Sequence, residues 1–355
     1  MPPTSARPRA SVLIIAGGRG SRFWPASREA RPKPLFSIDG KRSLLADTVA
    51  RHIPLIGRER IFVLAAAAHR APFRRALRGL IPAGNLIIEP DARGTAIAIA
   101  YGAAIIKRRL GDGVIAAVAA DHYIETAQKY RRTLADAIRL AAINDSIVAI
   151  GVTPTRAESG YGYQKIGRQV GAGFQIERFV EKPALALARR MVRSGKYLWN
   201  ASIFVVSTRT LAREFAEHCP LLGIAADQLA ATPRTKLARA YRRLTFNSFD
   251  REIMEKSAHV LSVRARFSWH DVGSWDGLLN AVANARGSVL RGNVIALDSD
   301  RVLAHSDSRL MVLLGVRDLI VVDSGDAILV AHRGMSPHVA RVTDELARRG
   351  WGQFL

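Results

Sequence analysis

The chain has 355 residues, 48% apolar and 23% charged, enough for one large α/β domain with an appendage or about two domains of ~150 residues; dominant disorder is excluded. No apolar run approaches the ~20 residues of a membrane-spanning helix, and the opening MPPTSARPRA has no apolar signal core. The formal net charge of +23 invites a nucleic-acid reading, but no RRM-type motif or zinc finger accompanies it, and most of the excess reads as arginine on solvated helix faces.

A single cysteine, Cys219, supplies neither an internal disulfide nor a metal cluster, and a cytoplasmic location is expected. In chain order, residues 1–10 are expected to form a disordered tail. Short apolar segments at 12–16, 61–65, 86–89, 114–119 and 147–152 predict strands, separated by helical patterns at 44–52, 69–80, 95–110 and 130–142. This alternation predicts a Rossmann-like, mostly parallel sheet covered on both faces. The pattern continues less regularly, with strands at 174–181, 203–206 and 259–264 and helices at 184–193, 211–218, 234–244 and 250–256. Thr95 is expected to cap the helix that follows Gly94. Near residue 285 the texture changes to β segments ended by Asp, Ser or Gly turns, without intervening helices. The chain is therefore expected to divide into an α/β unit over 11–285 and a small all-β unit over 286–355, a short β-helix or a meander, with an amphipathic helix near 339–349.

The chemistry concentrates after the first strand, where SVLIIA runs into Gly17-Gly18-Arg19-Gly20-Ser21-Arg22. Such a turn places bare backbone amides at a strand's carboxyl end, where α/β folds bind ligands. It is not a dinucleotide fingerprint, because Phe23 stands where the last glycine is needed, and no Gly-Lys-Ser/Thr of a Walker loop occurs. Arg22 and Lys33 bracket a segment in which Pro25, Pro32 and Pro34 are expected to keep the chain extended. A strap with cations at both ends suits a polyphosphate.

The stretch AGGRGSRFWPASREARPKPLF resembles the signature of the sugar-nucleotide pyrophosphorylases, and in detail that of bacterial mannose-1-phosphate guanylyltransferases. EPDARGTAIAIA, AADHYI, GVTPTRAESGYGYQKIG, FVEKP, YLWNASIF, FDREIMEK, WHDVGSWDGL and LGVRDLIVVDSGDAILVA follow in that family's order, so the resemblance spans roughly 11–332. It implies a GT-A-like nucleotidyltransferase core that joins GTP and α-D-mannose 1-phosphate to give GDP-mannose and pyrophosphate, in a homodimer.

The chemistry asked for is consistent with these residues. A sugar 1-phosphate is mostly dianionic at neutral pH and needs no general base. It needs cations and a divalent metal, to bring two anions together and to neutralise the departing pyrophosphate. The resemblance implies that Ala16, Gly17, Gly18, Gly20 and Ser21, with Arg22, hold the triphosphate, and that Lys33 stabilises charge toward the leaving group. It implies Asp121 and Asp271 as ligands of one Mg²⁺, Glu89, Arg93 and Thr95 around the base, and Gly160, Glu181, Lys182 and Asn200 around the sugar phosphate. Tyr161 and Tyr163 either face ligand or support the core; Trp199 and Trp275 read as packing residues. His122 and His270 lack a zinc-site spacing. The sequence departs from the family pattern at Gly94, where Asn is usual, at Ala201-Ser202 and at Pro34. Rival readings are a glucose-1-phosphate uridylyl- or thymidylyltransferase and a catalytically silent regulatory homologue.

Overall fold

The computed structural model describes residues 9–18, 20–38, 40–283, 285 and 287–355. Most of the expected N-terminal tail, as well as Arg19, lies outside them. The first strand, β1 (Ala10–Ile15), is followed by α1 (Leu44–Ile56), β2 (Ile61–Ala66), α2 (Arg70–Ala76), β3 (Leu86–Glu89), α3 (Thr95–Leu110) and β4 (Val114–Ala119). Next come β5 (Tyr123–Ile124), α4 (Ala127–Ile143), β6 (Ile147–Val152), β7 (Tyr163–Val170), β8 (Gly173–Val180), α5 (Leu185–Arg193) and β9 (Tyr197–Ser207). Helices α6 (Thr208–His218), α7 (Pro220–Ala231) and α8 (Arg234–Arg242) precede β10 (Val260–Arg264), β11 (Trp269–His270) and α9 (Trp275–Val282).

Nine of these strands form one sheet in the order β3-β2-β1-β4-β9-β6-β10-β8-β7, with β7 also pairing β9. Following the pairings across it, only β8 and β9 run against the other seven. The central strands are apolar throughout because both faces are covered. Val12 and Ile14 of β1 pack in the cluster that holds Leu45 of α1 and Leu134 of α4, while Leu13 faces the opposite cluster with Ile99 and Leu211. Helix α3 lies so close to β1 that a Cβ on Gly102 would come within 2.5 Å of Leu13 Cδ2.

The C-terminal strands β12 (Val289–Leu297), β13 (Leu303–Leu314), β14 (Leu319–Asp323) and β15 (Ile328–His332) form a four-stranded sheet of their own, followed by α10 (Ala340–Arg348). β12, β13 and β14 are parallel neighbours and only β15 turns back, so of the two expected forms this is β-helix-like rather than a meander. A third apolar cluster joins Val289, Leu303, Ile320 and Val322 of this sheet to Phe23, Trp24, Phe36 and Trp275. The β-rich unit therefore rests directly on the segment that follows the glycine turn.

Several expectations are corrected. Strand β9 is much longer than 203–206 and takes in Trp199–Ser202. β7 went unexpected because YQKIGRQV has no apolar run and is half exposed, and α7 because PLLGIAADQLAA leaves Leu221 and Ile224 facing solvent. The helix expected at 250–256 is a single π turn, Asp250–Met254.

Candidate active site

The carboxyl ends of β1, β3, β4 and β6 lie along one edge of the sheet, where α/β folds place their ligands. Because β9 runs the other way, its first residues reach that same edge, with Asn200 opposite Gly151. Asp271 arrives there through the small ladder of β5 and β11, which pairs Tyr123 with His270 and so sets the residues following Ala120 beside those following Trp269. One edge thus gathers the glycine turn, Glu89, Asp121, Asn200 and Asp271.

The glycine turn leaves β1 after Ala16, whose N–H still donates to Leu64 O at 2.8 Å. Gly18 (φ 114°) and Gly20 (φ 61°) both lie in the left-handed half of backbone space. A Cβ on Gly20 would stand 2.5 Å from Ser27 Oγ and 2.8 Å from Lys33 Cβ, so the turn packs directly onto the strap. The strap is not extended as its prolines suggested. Single 3₁₀ turns at Ser21–Phe23 and Lys33–Leu35 begin and end it, Pro34 being tolerated in a first turn that lacks an N–H partner anyway.

The C-terminal unit grips this strap. Arg28 makes a two-pronged ion pair with Asp326, both contacts 2.6 Å, and Trp24 Nε1 donates to Phe354 O at 2.8 Å. Trp275, fully buried, donates to Trp24 O at 3.1 Å and packs its ring on Phe23. Trp275 is thus the packing residue the sequence suggested.

Lys33 is the centre of the arrangement. Only 6% exposed, it donates to Asp121 Oδ2 at 2.6 Å and to Asp271 O at 3.4 Å, and it lies over the Phe23 ring. Burial opposes ionisation of Asp121, but the charge and hydrogen bond of Lys33, helped by His122, hold its carboxyl below the usual carboxylate range. His122 sits with Nε2 3.9 Å from Asp271 Oδ1 and edge-on to Trp269, and burial pushes its pKa down. Among the described residues the Asp271 carboxylate accepts no hydrogen bond, and a Cβ on Gly273 would crowd Asp271 Oδ2 at 2.6 Å. Arg22 is exposed and its guanidinium lies 3.5 Å from that same virtual Cβ, beside Asp271.

Two adjacent carboxylates, one without a protein donor, are the oxygen donor set that suits Mg²⁺, which keeps most of its waters and shares substrate phosphates. Asp121 and Asp271 therefore fit the expected ion. No cluster of three or more His, Cys, Asp or Glu stands around them among the described residues.

On the side of β3, Glu89 is buried under the glycine turn. Tyr241 OH donates to its Oε2 at 2.8 Å, a Cβ on Gly17 would touch its Oε1 at 3.4 Å, and burial raises its pKa to about 7. Arg93 is turned toward the 244–245 segment, donating to Leu244 O at 3.2 Å. Thr95 is the first residue of α3 rather than its cap, and its hydroxyl accepts from Phe249 N at 3.0 Å. The cap is Gly94, at φ 98° and ψ 164°, with the carbonyls of Phe246 and Asn247 3.3 Å from where a Cβ would be. Glycine at this position is thus a backbone requirement of this chain.

On the other side, the register Tyr163–Val180 and Tyr163–Trp199 sets Glu181 and Lys182 next to Asn200. Lys182, in a left-handed conformation at φ 47°, is exposed with Nζ 3.2 Å from Glu181 Oε1. Gly160 lies in the exposed loop before β7, its N–H held by Glu158. Tyr163 and Tyr161 are supports: Tyr163 is fully buried and bonded to the Glu158 backbone, and Tyr161 packs edge-on between Trp199 and Trp269. Two neighbours escaped the sequence reading. Tyr241 gave no local signal, and Asp250, bonded to Asn200 at 2.8 Å, lay in FDREIMEK without a role.

Residues 11–287 match the family model described as Nucleotidyl transferase, and residues 292–346 match that of the MannoseP isomerase/GMP-like beta-helix domain. The chain belongs to the nucleotidyl transferase family. It is 32% identical to the mannose-1-phosphate guanylyltransferase of Salmonella muenchen over 366 residues, covering 96% of this chain and 77% of that protein. It is 33% identical to the xanthan biosynthesis protein XanB of Xanthomonas campestris pv. campestris (strain B100), covering 95% and 73%. A crystal structure from Thermus thermophilus, described as a mannose-1-phosphate geranyltransferase, superposes with a TM-score of 0.88 at 34% identity, covering 96% of this chain and 99% of that one. The chain is a nucleotidyltransferase of the mannose-1-phosphate guanylyltransferase type, as its motifs implied. No helix among the described residues of this nucleotidyltransferase is long and apolar enough to cross a membrane.

Proposed function

We propose that the enzyme joins GTP and α-D-mannose 1-phosphate, releasing pyrophosphate and GDP-mannose. A phosphate oxygen of the sugar phosphate forms the new bond to the α-phosphorus, and the bond from that phosphorus to the bridging oxygen of the β-phosphate breaks. The observation that carries this reading is Lys33, a buried ammonium held between Asp121 and Asp271 O at the foot of the glycine turn. The amides of Gly17, Gly18 and Gly20, with Ala16, Ser21 and Arg22, hold the triphosphate. Lys33 faces the charge that builds on the departing pyrophosphate, and Lys182 neutralises the incoming sugar phosphate. Asp121 and Asp271 would hold Mg²⁺, which would supply Lewis-acid charge neutralisation to the phosphates. Glu89 offers an acceptor to the donor edge of guanine, with Arg93 and Thr95 in the same loop, while Glu181, Asn200 and Gly160 take the sugar. The substrates are small molecules rather than nucleic acid or membrane, and a cytoplasmic enzyme fits them.

Pyrophosphate release measured with four nucleoside triphosphates against mannose and glucose 1-phosphates is expected to be greatest for GTP with mannose 1-phosphate. A maximum with UTP or dTTP and glucose 1-phosphate would replace this reading by its rival.

The same enzyme is proposed to be a homodimer through its β-rich unit. Leu310, Val312 and Leu314 of β13, with Ile328 and Val330 of β15, are each more than half exposed, an apolar area of the kind a second copy covers. Sedimentation is expected to give twice the chain mass for the wild type and the chain mass for Val312→Glu; a monomeric wild type at micromolar concentration rejects the interface.

A further inference from the structure

The amide of Asn200 has its orientation fixed from every side but one. Its Oδ1 accepts from Gln164 Nε2 at 3.1 Å and from Ser202 N at 3.2 Å. Gln164 is itself pinned by Ser262 Oγ, which donates to its Oε1 at 2.6 Å, both residues being fully buried. Asn200 Nδ2 donates to Asp250 Oδ1 at 2.8 Å, which leaves one amide hydrogen for a ligand.

Asp250 itself is 8% exposed, and among the described residues no other side chain donates to its second oxygen. It also shares its surroundings with a second carboxylate. Glu181 faces it from the end of β8, with its side chain 9% exposed, and a Cβ on Gly162 would lie 2.8 Å from Glu181 Oε2 and 3.2 Å from Asn200 Cβ. The same segment positions Glu181, because Glu255 Oε1 accepts from Glu181 N at 2.9 Å. Holding Asn200 in place needs only an acceptor, which a neutral amide would supply without cost. Lys182 pairs with Glu181, but two carboxylates held at one largely buried site still repel each other until hydroxyl donors come between them.

We propose that Asp250 is a sugar-recognition residue, whose first oxygen orients Asn200 and whose second accepts a hexose hydroxyl neighbouring the one taken by Glu181. This rests on the sugar nucleotidyltransferase reading above and extends it to specificity. A ring hydroxyl pair donating into both carboxylates relieves their repulsion, so acceptance of the sugar depends on the placement of those hydroxyls. The acidity of Asp250 agrees: burial first, then the charge of Glu181, raise its pKa to about 7, opposed by its own backbone N–H, by Lys182 and by the Asn200 amide.

The test uses the full chain carrying Asp250→Asn or Asp250→Ala. The asparagine keeps the shape and an acceptor for Asn200 but loses the charge; charge-assisted hydrogen bonds of this kind correspond to roughly 10- to 100-fold in binding. Expected is a KM for hexose 1-phosphate raised about 10-fold in Asp250→Asn and more in Asp250→Ala, with the KM for the triphosphate unchanged. Against singly deoxygenated hexose 1-phosphates, the wild type is penalised for losing the hydroxyl that Asp250 holds, and Asp250→Asn is penalised less for that analogue than for the others. A purely structural residue would lose stability on substitution. Here Asp250→Asn is expected to raise the thermal midpoint at pH 8, because a raised native pKa means stability lost as pH climbs from about 4 to about 7, and this gain should vanish near pH 4. Equal rises in both KM values, identical deoxy-sugar penalties in variant and wild type, or failure of both variants to fold would each overturn the proposal. Absence of wild-type turnover with any hexose 1-phosphate would instead count against the enzyme-level reading.

Discussion

Asp271→Ala is expected to lower pyrophosphate release by about 1000-fold or more while leaving thermal stability close to that of the wild type. The Asp271 side chain is 36% exposed, and among the described residues its carboxylate receives no hydrogen bond, so the folded state loses little with it. The reaction loses one of two oxygen ligands expected to hold the cation that neutralises both phosphate groups. Asp121→Ala should be as inactive for the same reason, but it differs in stability. Asp121 is the partner of Lys33 at 2.6 Å, and removing it leaves an ammonium only 6% exposed without its counter-charge. A buried charged group deprived of its partner costs on the order of 3–5 kcal/mol, more than an unsatisfied neutral group. The two variants therefore share a kinetic defect and separate in thermal denaturation. Normal turnover in either would remove that carboxylate from the metal site, and equal stability of the two would mean that Lys33 finds another acceptor.

The sequence was most legible where one physical signal acted alone. Strands buried on both faces, such as β4 and β6, announce themselves by uninterrupted apolar runs, and their bounds coincide with the expected 114–119 and 147–152. β7 and α7 follow no such signal; one is held by register with β8 and β9, the other by packing of Leu222 and Leu229 on α3. Proline chemistry in the strap was misjudged for a related reason. Local preference favoured an extended chain, but the packing of Phe23 and Phe36 on Trp275, 251 residues from Trp24, winds both of its ends into single turns. At the site, glycines and charged residues were readable because their roles are local to a motif. Tyr241 under Glu89 and Asp250 beside Asn200 depend on chain crossings of 152 and 50 residues, which no local pattern encodes.

Gly20→Ala is expected to reduce turnover about 100-fold or more and to lower stability by about 1–2 kcal/mol from left-handed backbone strain alone. Gly20 has φ 61°, and the added Cβ would stand 2.5 Å from Ser27 Oγ and 2.8 Å from Lys33 Cβ. The first contact strains the strap; the second pushes aside the backbone that carries the ammonium. A displacement of about 1 Å at a group that must meet developing charge is enough for a loss of that order. Gly18→Ala separates the causes, since Gly18 has φ 114° but nothing within 4 Å of its virtual Cβ: it should show the strain without the displacement of Lys33. Adding Ser27→Ala to Gly20→Ala deletes the hydroxyl in the tighter contact, so part of the stability should return. Activity should not, because Lys33 Cβ remains in the way. Recovery of turnover in the double variant would show that Ser27, rather than Lys33, transmits the damage, and the link between the glycine turn and the catalytic ammonium would have to be abandoned.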